Sequence, residues 1–159
     1  MSEAETAPYG SWRSPITADL IVKGSIGLSQ VQIAGNDVYW IEARPSESGR
    51  QVIVRQTSDG KRSDINPPGF NARTRVHEYG GGDYAVQDGA VYFSNYADQQ
   101  LYKQQGDSTP QLLTKDCPDD RLRYADAVID QSRKRLICVC EDHREAGRSE
   151  KLCRRNSPR

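Results

Sequence analysis

The 159 residues show no excess of one charge, no long apolar run and almost none of the motifs on which enzyme or metal chemistry is usually built. Lys plus Arg and Asp plus Glu both number 22, so no net field draws the chain to nucleic acid or to an anionic membrane. No apolar stretch approaches the roughly 20 residues a membrane-spanning helix needs. The polar, acidic opening from Met1 to Pro8 has neither the basic n-region nor the apolar h-region of a secretory signal. Cysteine is scarce (Cys117, Cys138, Cys140 and Cys153) and forms no C-x-x-C. That spacing argues against a zinc site or a disulfide framework, and for a reduced, cytoplasmic chain. Histidine is scarcer: His77 and His143 are the two, and H-E-x-x-H fails because position 81 is glycine. Gly80-Gly81-Gly82 is no phosphate cradle, since strand-like residues follow it and no Gly-Lys-Ser/Thr opens a helix. There is no G-x-S-x-G either. Gly27-Leu28-Ser29-Gln30-Val31 comes nearest, lacks the last glycine and leads into a strand. No cofactor, metal or catalytic residue is therefore expected.

What is present is a repeated β pattern. Hydrophobic residues make up 35% and the mean hydropathy is -0.81, yet the apolar residues cluster in alternating runs that take the chain out of the disordered class. Ser14-Pro15 predicts a short helix, capped by the serine and ending near Lys23-Gly24. Strands follow at Leu28–Ala34, Asp37–Glu42, Gln51–Arg55 and, weakly, Lys61–Ile65, before Pro67-Pro68-Gly69 stops the unit. A second unit has strands at Asp83–Gln87, Ala90–Ser94, Gln100–Lys103 and Gln111–Leu113. A third opens with Tyr124–Ile129 and returns as Arg135–Cys140. Asp59-Gly60 and Asp88-Gly89 are hairpin turns. Val38-Tyr39-Trp40 and Val91-Tyr92-Phe93 hold matching second-strand places, and their rings read as packing between sheets rather than a ligand platform.

Units of roughly 45 to 53 residues match propeller blades. A β-sandwich could use strands of this length but does not predict the phased repeat. The expected fold is all-β: a partial β-propeller of about two and a half four-stranded antiparallel blades, with one short N-terminal helix. The domains are a 1–13 extension, the partial propeller at 14–143, and a 144–159 tail that is aberrant or disordered, with Leu152 its one large aliphatic. The break inside a unit reads as a chain cut short, and open blade edges predict self-association.

The functional candidate is Arg75-Val76-His77-Glu78-Tyr79-Gly80-Gly81-Gly82, a loop between the first two units. It brings a histidine, a carboxylate and a tyrosine next to three glycines, where the chain must turn or be closely approached. His77 and Glu78 would point to opposite faces of a strand, so an acid/base pair there requires a bent loop. Loop packing alone is the competing reading.

Several segments resemble the opening of a prolyl oligopeptidase family serine peptidase, of the bacterial dipeptidyl aminopeptidase/acylaminoacyl peptidase type. They are Tyr9–Ile16, Val38-Tyr39-Trp40, Asn71–Gly82, Val91–Asn95 and Arg123-Tyr124-Ala125-Asp126, and the Asn71–Gly82 stretch is the specific one. The resemblance implies an N-terminal propeller followed by an α/β-hydrolase domain with a Ser-Asp-His triad, acting on small peptides or acylated amino acids. Here that domain's motif is absent, so no catalytic residue carries over and the chain is expected to be inactive alone. Within the intact enzyme Glu78 would bind a substrate's amino group or, instead, Arg75 would hold a carboxylate, with His77 and Tyr79 beside them; the competing reading pairs Arg75 and Glu78 with neighbouring blades. The alternative is a free-standing β-repeat module that binds a protein partner.

Overall fold

The computed structural model describes residues 6–11, 14–22, 24–114, 121–144 and 151–156, with Val22 and 151–156 described as backbone only. Outside the described residues lie 1–5 and Trp12-Arg13 of the predicted extension, Lys23 at the predicted helix end, the side chains of Cys117, Leu152 and Cys153, and 145–150 and 157–159 of the predicted tail. The helix α1 is only Ala18–Val22. Its cap is Thr17, whose Oγ1 accepts the Leu20 N–H, and not the expected Ser14. Ser14 instead accepts the N–H of Ile16, two residues on, in a local turn that ends before the helix begins at Ala18.

The rest is antiparallel β structure. The first sheet runs β1 (Gly27–Ala34), β2 (Asp37–Arg44), β3 (Arg50–Gln56) and β4 (Arg62–Asp64), in that spatial order. The second runs β5 (Tyr84–Gln87), β6 (Ala90–Ser94), β7 (Leu101–Gln105) and β8 (Gln111–Leu112), again in chain order. The third has β9 (Leu122–Asp130), β10 (Arg135–Asp142) and β11 (Lys151–Asn156), with β10 in the middle. Inner strands neighbour one another: β1 lies by β5, and β5 by β9. The described residues form a partial β-propeller with one lone α-helix. The strand β11, in a stretch whose sequence offers almost no apolar pattern, pairs with β10 from Arg135 opposite Asn156 to Cys140 opposite Lys151. Backbone hydrogen bonds, not apolar alternation, mark that strand.

Why the strands look as they do follows from their place in the stack. The middle sheet is covered on both faces, so β6 is buried at every position and reads as a continuous apolar run. Val91 and Phe93 face the first sheet and join Tyr39, Ile41, Ile53 and Tyr84 in one core. Ala90 and Tyr92 face the third and join Leu101, Tyr124, Leu136, Cys138 and Cys140 in another. Each fully buried Ile, Leu or Phe contributes about 1.5–3 kcal/mol by leaving water. Phe70 sits edge-on to Tyr102, with centroids 5.1 Å apart, and to Phe93 at 6.0 Å, wedging the outer end of the first two sheets. By contrast β10 alternates strictly. The first sheet's outward face leaves Leu28, Val31 and Ile33 exposed, Ile33 at 75%.

The turns obey their chemistry. Asp88 and Gly89 both take positive φ (50° and 74°), as a two-residue hairpin loop of the mirror-image type requires. Among the described residues no helix is long and apolar enough to cross a membrane, and no group of three or more His, Cys, Asp or Glu is placed to hold a metal ion.

Candidate functional site

The loop between the first two sheets is built outward from a stitched base. Asn71 accepts the Gln51 N–H on Oδ1 at 3.0 Å and donates its own N–H to Asn95 Oδ1 at 3.0 Å. Ala72 bridges Asn95, and the Arg73 N–H reaches the Ser94 carbonyl at 3.0 Å. The chain is thereby fixed to both sheets before it reaches the candidate residues. Thr74 and Val76 then turn inward and are fully buried, while Arg75 is pulled to the rim. The Gln99 side chain, itself buried, accepts the Arg75 N–H at 2.7 Å. The guanidinium of Arg75 lies 5.2 Å from the centre of the Tyr96 ring, and that of Arg73 lies 5.0 Å from it.

His77 and Glu78 form the bent tip that the sequence reading required. Both sit in the left-handed region (φ 58° and 60°), an uncommon place for side-chain-bearing residues. The Gly80 N–H closes the turn on the Val76 carbonyl at 2.9 Å, and Glu78 N–H closes on Arg75 O at 3.2 Å. Strain at the tip is held from the third sheet. Glu141 Oε1 accepts the His77 N–H at 2.7 Å, and its other oxygen meets His143 Nε2 at 2.9 Å. The His77 ring lies between two carboxylates, with Nδ1 3.8 Å from Glu141 and Nε2 3.7 Å from Asp126. Burial pushes the Glu141 carboxyl up, but the hydrogen bonds from His143 and the His77 amide, together with both imidazoles, hold it below its ordinary value.

The three glycines have separate reasons. Gly80 takes a φ of 97°. Gly81 and Gly82 let the chain pass against the third sheet: a Cβ on Gly81 would meet the Ala125 Cβ at 2.9 Å, and one on Gly82 would meet Asp126 Oδ1 at 2.9 Å. Gly82 donates to Asp126 Oδ1 at 2.7 Å and accepts the Asp126 N–H at 2.9 Å.

Beneath the loop, Asp83 is 5% exposed and ties it to the first sheet. It accepts the Thr74 N–H at 2.6 Å and the Gln30 amide at 2.6 Å, while Gln30 Oε1 accepts the Asp83 N–H at 2.9 Å. Gln30 can do so because it bulges out of β1 with a φ of 53°. Desolvation pushes the Asp83 carboxyl up to about 6, against the pull of those hydrogen bonds and of Arg73.

The four predicted residues thus fall on one loop, but they do not converge. Arg75 lies half-buried against Tyr96, His77 faces the third sheet, and Glu78 and Tyr79 project outward, Tyr79 at 93% exposure. The Glu78 carboxylate makes no hydrogen bond or ion pair among the described residues. Glu78 and His77 are not an acid/base pair in contact. Sequence reasoning missed Gln30, Asp83, Gln99 and Glu141, which place the loop; their one signal was the Asp directly after the glycines.

The chain resembles puromycin-hydrolysing peptidases. Over 95% of its length it superposes on puromycin hydrolase with a TM-score of 0.77 and 32% identity. Over 94% it superposes on a puromycin-hydrolysing peptidase of Mycobacterium tuberculosis with a TM-score of 0.73 and 39% identity. It spans about a quarter of each of those chains, 25% and 24%. No family model and no curated protein matches it.

Proposed function

We propose that this chain is the blade-bearing portion of a serine-type peptidase of the prolyl oligopeptidase kind, hydrolysing small peptides or acyl-aminoacyl compounds. Its own part is to present substrate-binding groups; the nucleophile belongs to a hydrolase domain outside these residues. The observation that carries the reading is the combination of 39% identity to a puromycin-hydrolysing peptidase with a braced, outward-pointing Glu78 that has no partner among the described residues. A carboxylate held in a left-handed turn by groups from two sheets is positioned to receive an ammonium. Arg75, spread over Tyr96 at the rim, is the group for a substrate carboxylate or carbonyl. His77 and Tyr79 shape the wall beside them.

The test uses a full-length puromycin-hydrolysing relative that carries this loop. Replacing its counterpart of Glu78 by Gln should cut kcat/KM for substrates with a free amino group about tenfold to a hundredfold, the value of one charge-assisted hydrogen bond. N-acylated substrates should be nearly unaffected. Equal losses on both would refute amine binding, and robust cleavage of puromycin by the 159-residue chain alone would refute the division of labour.

A further inference from the structure

A cleft of about 730 Å³ opens between the second and third sheets. It lies at the ends of the strands away from His77, beside the Asp88-Gly89 turn and the turn that joins β9 to β10. Its volume is in the range of small-molecule sites. The floor is apolar: Ala90 and Tyr92 from β6, Ile129 from β9 and Leu136 from β10. Two cations stand at its rim. Lys103 holds its ammonium 5.8 Å from the centre of the Tyr92 ring, and Lys134 sits in the turn above. Neither lysine has a carboxylate partner among the described residues.

The acidic side chains nearby are already engaged. Asp130 accepts from Arg135 at 2.9 Å, Arg133 at 3.3 Å and the Ser132 hydroxyl at 2.7 Å, and these bonds hold its carboxyl well below the usual range. Asp88 accepts from Gln131 at 3.2 Å. The lining sets three cations, Lys103, Lys134 and Arg135, against two carboxylates, Asp88 and Asp130, so this apolar slot is positive on balance and selects a molecule with an apolar body and one negative end. We propose that this cleft binds a small amphipathic carboxylate, an aryl or alkyl acid whose body lies on Tyr92, Ile129 and Leu136 and whose carboxylate meets Lys103 and Lys134. The site stands apart from the Glu78 loop and does not depend on the peptidase reading.

The experiment titrates the full chain with 4-phenylbutyrate and with 4-phenylbutanol, read by calorimetry and by backbone amide shifts. The acid should saturate one site, moving the amides of Ala90, Ile129 and Leu136 and leaving 75–82 still. The alcohol should bind about tenfold more weakly, for want of the charge-assisted bonds. Lys103→Gln combined with Lys134→Asn should lower acid affinity by about tenfold and leave the alcohol unchanged. Asparagine suits position 134, where φ is 48°. Lys134→Asn alone, in an exposed turn, gives the same sign should the pair not fold. Equal affinity for acid and alcohol, unchanged binding by the variants, shifts elsewhere, or no saturable binding at millimolar acid would each overturn the proposal.

Discussion

Alanine at position 81 sets two backbone-anchored carbons against each other. Its Cβ would stand 2.9 Å from the Ala125 Cβ, whereas carbon pairs are most stable at about 3.5–4.0 Å. Neither atom can swing away, so the loop at Gly81 and β9 must part by roughly 0.6–1 Å. Parting stretches the adjacent reciprocal pair, Gly82 N–H to Asp126 Oδ1 at 2.7 Å and Asp126 N–H to Gly82 O at 2.9 Å. Overpacking costs about 1–3 kcal/mol, and a weakened hydrogen bond adds about 1. Gly81→Ala should therefore destabilise the chain by about 2–4 kcal/mol, measured by urea denaturation followed by circular dichroism. Ala125→Gly alone should cost about 1–2 kcal/mol, through lost burial and added backbone freedom. The double variant relieves the clash and should be more stable than the sum of the single changes predicts, by at least about 1 kcal/mol. Additive costs, or a Gly81→Ala variant as stable as its parent, would refute the close approach as the reason for the glycine run.

Asp83 makes stability fall as pH rises. Its folded carboxyl titrates at about 6 and an unfolded one at about 3.9, so between these values the folded chain keeps a proton that the unfolded chain has released. The loss from pH 4 to pH 7 should reach up to about 3 kcal/mol, and Asp83→Asn should flatten that part of the urea-midpoint profile. Glu141 has the opposite sign, its contribution being present above the ordinary glutamate range and lost on acidification. Glu141→Ala should cost about 1–3 kcal/mol and speed hydrogen exchange at the His77 amide, while Glu141→Gln, which still accepts that N–H, should retain most of the protection. Ile33→Lys, on the outward face of β1, should stay within about 0.5 kcal/mol of the parent while reducing any self-association seen by sedimentation.

Where local chemistry decides, the residues announce the structure. The Asp88-Gly89 turn, the buried run of β6 and the loop at the glycines are all readable from composition and spacing. Elements decided by distant partners are not. Ser14 looks like a cap, but its hydroxyl is captured two residues on, and Thr17 takes the role. Nothing around Lys151–Asn156 advertises β11, because its place comes from the free edge of β10 and hydrogen-bonding ladders carry no side-chain signature. The candidate loop divides in the same way. Its residues and glycines are visible in one stretch, yet the groups that hold it come from Gln30, Gln99 and Glu141, up to 64 positions away.

The fourth strands of the first two sheets are short, and side chains take over where they end. Asn66 Oδ1 accepts the Ile53 N–H at 2.7 Å just after Ile65 has donated to the Ile53 carbonyl. One sheet later Thr114 Oγ1 accepts the Leu101 N–H at 3.0 Å just after Leu113 has donated to the Leu101 carbonyl. Different residues thus solve the same problem at the same place in the two sheets: a side-chain oxygen continues the ladder by one rung where the fourth strand stops. Each of the two sheets thereby carries its own terminating oxygen, and the outer edge of its third strand is closed without help from a neighbour.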